Sequence, residues 1–427
     1  MLSALITLFS RLSIFFRICT LLLIYLLAFL LPLGFILGPI TVLSVGCWLL
    51  SGGWKDKIEK IRSARFLWIW IAFFMLNLIS LMWTENRVEG MMSLQVKLPL
   101  LFVPIIISTI RFDTKQTRWI LAIFICGLIV SGLFMLSRST YIFFTEHINT
   151  FYYQDFSSGV MHPSYLSMYY CVGIMILFHG ILLQSFSPKP WKIIAIGISL
   201  FFAVVVFLLS SKIGMLSMIL IFIGYIVYSI LRFKRYFVGA AALLTIIVGF
   251  FVALKMFPTV AQRFENLKET FASHGPINPT EVESNRVRLL IWQADYALVE
   301  RHPWNGVGIG DVQDSIMKEY QVRGMTGAYE KKLNAHSQLF QTAIAIGIPG
   351  LILLLLLFVV PTLSAIRNQF GFLVLFTSLV LLNIIPESMF QLQAGVIFFS
   401  FFYSLILFSI DRKCLSPMKA PPISFLA

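Results

Sequence analysis

Apolar runs of close to 20 residues recur along almost the whole chain, separated by short polar stretches in which Lys and Arg dominate. A helix needs roughly 20 mostly apolar residues to cross a hydrocarbon core of about 30 Å. The runs predict membrane helices over residues 15–35, 37–53, 66–83, 97–110, 119–136, 163–185, 192–209, 213–231, 237–256, 338–360, 370–386 and 392–410. Pro32, Pro39 and Pro99 fall near the ends of these segments, where a missing backbone N–H is tolerated. The first run is long, rich in Phe and followed at once by a second. No small-residue cleavage pattern lies between them, so it reads as a retained helix rather than a signal peptide.

The polar positions orient these helices. Arg11 and Arg17 precede the first segment, and Lys55, Lys57, Lys60, Arg62 and Arg65 follow the second. Arg111, Lys115 and Arg118 follow the fourth, Lys189 and Lys192 the sixth, and Arg232, Lys234 and Arg235 the eighth. Arg367 follows the tenth; Arg412 and Lys413 follow the twelfth. With about twelve helices all of these fall on one side, which the positive-inside rule assigns to the cytoplasm together with both termini. The expected fold is all-α and polytopic. Residues 1–256 carry helices one to nine, 257–337 form a large, partly helical periplasmic loop, and 338–427 carry the last three helices and a cytoplasmic tail. The shorter outer loops are expected at 84–96 and 137–162. Long loops on a rigid scaffold tend to hold sites, so the chemistry is expected on the outer face.

Composition agrees with a membrane protein: 59% of the residues are hydrophobic and 12% charged, against about half and a quarter in soluble domains. The formal net charge of +14 would suit a nucleic-acid partner if it were gathered in one polar region. It is not. Residues 257–337 hold nine Lys/Arg and ten Asp/Glu, and the surplus lies in the short loops, so nucleic acid is excluded. Cys19, Cys47, Cys126, Cys171 and Cys414 lie in or beside apolar segments without CxxC spacing, and read as small buried hydrophobes.

The long loop has structure of its own. Ser284 or Asn285 can cap a helix running through Arg286, Arg288, Trp292, Asp295 and Leu298. Pro303 ends it, Trp304-Asn-Gly306-Val-Gly308-Ile-Gly310 forms a turn, and Asp311 caps a second helix with Asp314 in its first turn. Arg286 and Arg288 then stand at a helix start, where guanidinium forks and backbone N–H groups suit phosphate. Their alternative is a solvated face paired with Glu281, Glu283 or Asp295. His336 stands just before the tenth membrane helix, where it is either a general base or a histidine solvated at the interface. Lys212, in Ser210-Ser211-Lys212-Ile-Gly214, falls in a very short outer turn, as a site cation or a snorkelling lysine. Arg87 and Lys97 lie around the outer start of the fourth helix and have an ordinary interfacial reading too. His162 either contacts an acceptor or caps a helix whose first position is Pro163. The Gly306–Gly310 stretch lacks the strand of a dinucleotide loop and reads as a turn. No HExxH, Walker or GxSxG pattern occurs, and no acidic pair stands on the outer face to hold a divalent ion. No metal or other cofactor is therefore expected.

Taken together, these elements resemble the O-antigen ligase and O-antigen polymerase superfamily over nearly the whole chain. Arg288-Leu-Leu-Ile-Trp292, Pro303-Trp-Asn-Gly306-Val-Gly308, His336 ahead of an apolar run with Gly347-Ile-Pro-Gly350, and Ser211-Lys212-Ile-Gly214 are the elements that carry the likeness. Two positions depart from the family pattern: Ser337 stands where Asn is usual, and Lys212 replaces an Arg, keeping charge but losing the fork. The resemblance implies a glycosyltransferase-C-like membrane architecture, with the large loop between the ninth and tenth helices. It implies metal-independent transfer of a glycan from an undecaprenyl-pyrophosphate donor at the periplasmic face of the inner membrane. For a ligase the acceptor is lipid A–core; the alternatives are an O-antigen polymerase, a protein O-oligosaccharyltransferase, or, from another class, a lipid-linked-glycan flippase. No internal repeat supports the last. On this reading Arg288 binds the donor pyrophosphate, Arg286, Lys212 and Lys97 complete the cationic pocket, and His336 takes the acceptor proton. His162 and Arg87 are secondary candidates.

Overall fold

The computed structural model describes residues 2–182, 189–233 and 285–408, with the single positions 255 and 280. Among them the chain is helical throughout, without strands. The helices are α1 Leu2–Leu30, α2 Leu37–Leu50, α3 Trp54–Ser63, α4 Leu67–Ile79, α5 Arg87–Ile110, α6 Thr114–Glu146, α7 Tyr153–Ser157 and α8 Pro163–Leu182. They continue with α9 Lys189–Leu208, α10 Lys212–Phe233, α11 Asn285–Arg301, α12 Val312–Val322, α13 Thr326–Glu330, α14 Gln338–Arg367, α15 Gly371–Ile384 and α16 Gln393–Phe408. Seven are long and apolar enough to cross a membrane: α1, α5, α6, α8, α9, α10 and α14. An eighth span arises if α2 and α3, bent 116° to each other, count as one. The chain is a multi-pass membrane protein.

Each predicted segment but one coincides with an apolar helix; residues 237–256 fall almost wholly outside the described residues. Twelve spans are more than these lengths establish. At 1.5 Å per residue, α2, α15 and α16, with 14, 14 and 16 residues, reach only about 21–24 Å. Several boundaries also move. The fourth segment starts at Arg87 rather than 97, because Asn86 caps it by accepting from Glu89 N–H at 3.2 Å. Pro99 is therefore an interior residue of α5, not an end residue, as is Pro104. The expected outer loops at 84–96 and 137–162 shrink, since α5 takes most of the first and α6 runs on to Glu146. The charged stretch that follows the second segment forms a helix of its own, α3. Of the described cysteines only Cys171 is buried, and Cys126 is exposed on α6.

An aromatic interior holds the bundle. Tyr169 of α8 stacks on Phe398 of α16 at 3.9 Å, and Trp70 of α4 on Phe399 at 5.0 Å. Four of the expected same-side cations, Lys60, Arg65, Arg111 and Arg367, gather at one end. There Lys60 donates to Thr109 O at 2.9 Å, Trp48 to Thr109 Oγ1 at 2.9 Å, and Arg111 to Ser63 Oγ at 3.3 Å. The loop helices α11–α13 cover the opposite end, where α5, α8, α10 and α14 begin.

Candidate functional site

Three long helices begin together. Ser211 caps α10 by accepting from Gly214 N–H at 3.2 Å, and its hydroxyl lies 3.4 Å from that of Ser164 in the first turn of α8. The approach is close because residue 214 has no side chain: a Cβ there would lie 2.6 Å from Ser167 Oγ. Tyr165 donates to Ser388 O at 3.4 Å, and the Ser388 hydroxyl accepts from Ser337 N–H, at the start of α14, at 3.2 Å. The Pro386-Glu387-Ser388 turn thus joins α8 to α14. Helix N-termini present unsatisfied N–H groups and the positive end of the helix dipole. The arrangement suits an anion.

Arg288 and His336 are brought to the same place. Arg288 and Trp292, four apart, share a face of α11. Trp292 Nε1 donates to His336 O at 3.4 Å, and Arg288 pairs with Glu387 Oε1 at 3.6 Å. Glu387 also accepts from Ser164 Oγ at 3.1 Å. The Arg288–Glu387 separation exceeds the 2.7–2.9 Å of a tight charge-assisted bond, and a third of the Arg288 side chain is exposed, so the guanidinium has donors available to a ligand. His336 itself is held at φ +43°, a left-handed backbone, with its N–H donated to Asn334 Oδ1 at 3.0 Å. Burial, then the charges of Arg288 and His162, pull its imidazole down from the usual 6.5 to about 4. It is neutral at neutral pH, the state a base requires, and well below the pKa of a histidine solvated at the interface.

The glycine-rich stretch is indeed a turn, and it splices the loop into α14. That helix breaks at Ile346 and Gly347, the latter at φ +70° and ψ −173°. Pro349 has no N–H to give Ala345 O, so Gly308 N–H supplies it at 3.0 Å. Ile348 N–H, freed by the break, donates to Pro303 O at 2.7 Å, while Val307 N–H fills Ile344 O at 2.8 Å. Asp311 does not cap α12 with its side chain. Its carboxylate instead accepts from Glu85 and Asn86 N–H at 2.8 and 2.7 Å, fastening the loop to the start of α5.

The remaining sequence candidates are placed differently. Arg286 is two positions from Arg288, roughly 200° round the helix, so it does not share the Glu387 face. Neither Arg286 nor Arg288 uses Asp295: that residue is fully buried, its carboxyl oxygens have no hydrogen-bond partner among the described residues, and burial raises its pKa well above its ordinary value. Lys97 is not at the helix start. It is buried ten residues into α5, about 15 Å from the helix start, with Glu89 the acid acting on it. Arg87 is exposed on the first turn of α5, the end that Asp311 holds. Lys212 opens α10 beside Ser211, at the helix-start cluster. His162 does act as a cap, its Nδ1 accepting from Ser164 N–H at 3.4 Å, and Pro163 takes the first position of α8. Sequence reasoning missed Glu387. It stands next to a proline in a short turn, and only its isolation as an acid between two apolar runs could have marked it.

Residues 197–355 match the family described as O-antigen ligase. The match bears out the resemblance drawn from the motifs, and members of this family are glycosyltransferase-like enzymes. It covers Ser211, Lys212, Arg288, Trp292, the glycine turn, His336 and the break in α14. His162, Ser164 and Glu387 lie outside the matched stretch and join the site only through the fold. A comparison with curated proteins finds no match. Among the described residues no group of three or more His, Cys, Asp or Glu side chains gathers to hold a metal ion.

Proposed function

We propose that the chain is an O-antigen ligase, transferring a glycan from undecaprenyl pyrophosphate to a sugar hydroxyl of lipid A–core. Transfer occurs at the periplasmic face of the bacterial inner membrane. The proposal includes twelve spans, cytoplasmic termini and a periplasmic loop at 257–337. The observation that carries it is the meeting of three helix N-termini with Arg288 and His336. An acceptor hydroxyl attacks the anomeric carbon, the bond from that carbon to the pyrophosphate oxygen breaks, and undecaprenyl pyrophosphate leaves. Negative charge grows on the leaving oxygen. Arg288, Lys212 and the N-termini of α8, α10 and α14 are fixed in advance to receive it, the arrangement that makes electrostatic stabilisation large. His336 takes the hydroxyl proton. The donor's own negative charge offsets that of Arg288 and raises the proton affinity of His336 when the donor is bound. Glu387 positions Arg288 and is displaced in part by the pyrophosphate. Lys97 lies deeper, and the proposal gives it no contact with the donor.

The deciding experiment is the lipopolysaccharide profile of a strain deleted for this chain. Complete loss of attached O-chains, restored by the wild-type gene, supports a ligase. Retention of a single repeat would instead identify a polymerase, and an unchanged profile would remove lipopolysaccharide as the acceptor.

A further inference from the structure

A groove of about 960 Å³ opens at the end of the bundle opposite Arg288 and His336. The start of α4 and the C-terminal ends of α5, α14 and α16 enclose it. Its walls are apolar, with Phe66, Ile69, Leu363 and Phe408 among them, and its rim carries Arg65, Arg111 and Arg367. Arg65 precedes α4, Arg111 follows α5 and Arg367 ends α14, yet they line one space. All three are exposed, and among the described residues none forms a salt bridge. Arg111 donates to Ser63 Oγ at 3.3 Å. Asp56, an acid that faces Arg111, is held by Lys60 at 2.8 Å.

An apolar floor beneath a cationic rim matches a molecule with acyl chains and an anionic head. A free phosphate would leave the floor empty; a zwitterionic lipid would leave the arginines without a net partner. We propose that this groove binds one anionic glycerophospholipid, its phosphate on the three arginines and its acyl chains along the α4, α14 and α16 walls. Basic pockets between membrane helices take such headgroups. The lipid would tie together the ends of helices whose other ends build the site, without touching the chemistry. The proposal is independent of the transfer reading.

The test uses the purified full-length protein in detergent, with phosphatidylglycerol or phosphatidylcholine of identical acyl chains added. Native mass spectrometry counts bound lipid, and a melting curve records stabilisation. Three arginines near an anionic head, partly screened by salt, should give a preference for phosphatidylglycerol of about 10–100-fold. In Arg65→Gln/Arg111→Gln/Arg367→Gln the preference should vanish while melting without lipid stays near wild type. Should the triple variant fail to fold, Arg367→Gln alone should lower the preference several-fold. Equal binding of the two lipids by wild type, or an undiminished preference in the variants, would overturn the proposal. So would glycerol 3-phosphate alone reproducing the stabilisation, because then the apolar walls play no part.

Discussion

Replacing Gly347 by Ala should dismantle the splice between the loop and α14. At φ +70° and ψ −173° residue 347 occupies backbone space that is essentially glycine's own, costing about 1–3 kcal/mol for an L side chain. Relaxation is also blocked, since the added Cβ would sit 2.5 Å from Trp304 C and 2.8 Å from Pro303 O, both backbone atoms. To make room, the 303–308 segment must withdraw, taking with it the bonds of Ile348 to Pro303, Val307 to Ile344 and Gly308 to Ala345. A buried group left unpaired costs about 1–3 kcal/mol. Losing one or two of these bonds on top of the strain brings the total to about 3–6 kcal/mol, and melting should fall on the order of 5–10 °C. Gly46, mid-α2 with open space at its Cβ, is the control. Gly46→Ala should leave melting unchanged or raise it slightly, since glycine costs a helix interior about 0.5–1 kcal/mol. Both variants would be purified and melted side by side by intrinsic tryptophan fluorescence, and transfer measured at matched protein levels. Transfer should fall only in Gly347→Ala, because the splice anchors the segment that leads out of α11. A Gly347→Ala protein that melts and works like wild type would refute the argument.

Arg288→Ala and Arg288→Lys should both abolish O-chain attachment in a complementation assay at normal protein level; activity in the lysine variant would mean that charge alone suffices without the bidentate fork. His336→Ala should lower turnover about 10²–10⁴-fold while donor binding changes little. Near-normal turnover would pass the base role to His162 or Glu387. Because His336 must be unprotonated to act and its pKa lies at about 4, kcat/KM should stay level from neutral pH down to about 5 and fall as pH drops through about 4. An acid limb at the ordinary histidine value of about 6.5 would contradict the buried, Arg288-facing imidazole. Purified protein treated with EDTA should keep transferring, and loss of activity restored by Mg²⁺ or Mn²⁺ would defeat the metal-free scheme. On a cysteine-free background, a cysteine at 275 should react with a membrane-impermeant reagent from outside and one at 60 should not; the reverse pattern would invert the topology.

What the sequence determined by itself was local or periodic. Apolar run length located the membrane helices, because crossing a bilayer is a demand on consecutive residues. The Arg288-to-Trp292 interval put the two on one helix face, because four residues make about one turn. The break in α14 was not among these: 338–360 is expected as one helix, and only the structure shows that Gly347 turns left-handed and that Pro349 leaves Ala345 O to Gly308. Tertiary structure decided the partners. Asp311 had two equivalent uses, capping its own helix or binding distant N–H groups, and only the docking of Glu85 and Asn86 settled which. Arg288 could have met Asp295 nearby, yet it faces Glu387, 99 positions away, while Asp295 turns into the loop's interior; Glu281 and Glu283, the other expected partners, lie outside the described residues. Lys97 looked peripheral until the cap at Asn86 moved the start of α5 back by ten residues. His336 looked like an ordinary histidine because a pKa depends on burial and on neighbouring charge. Both come from residues far apart in the chain, and no interval along a sequence encodes them.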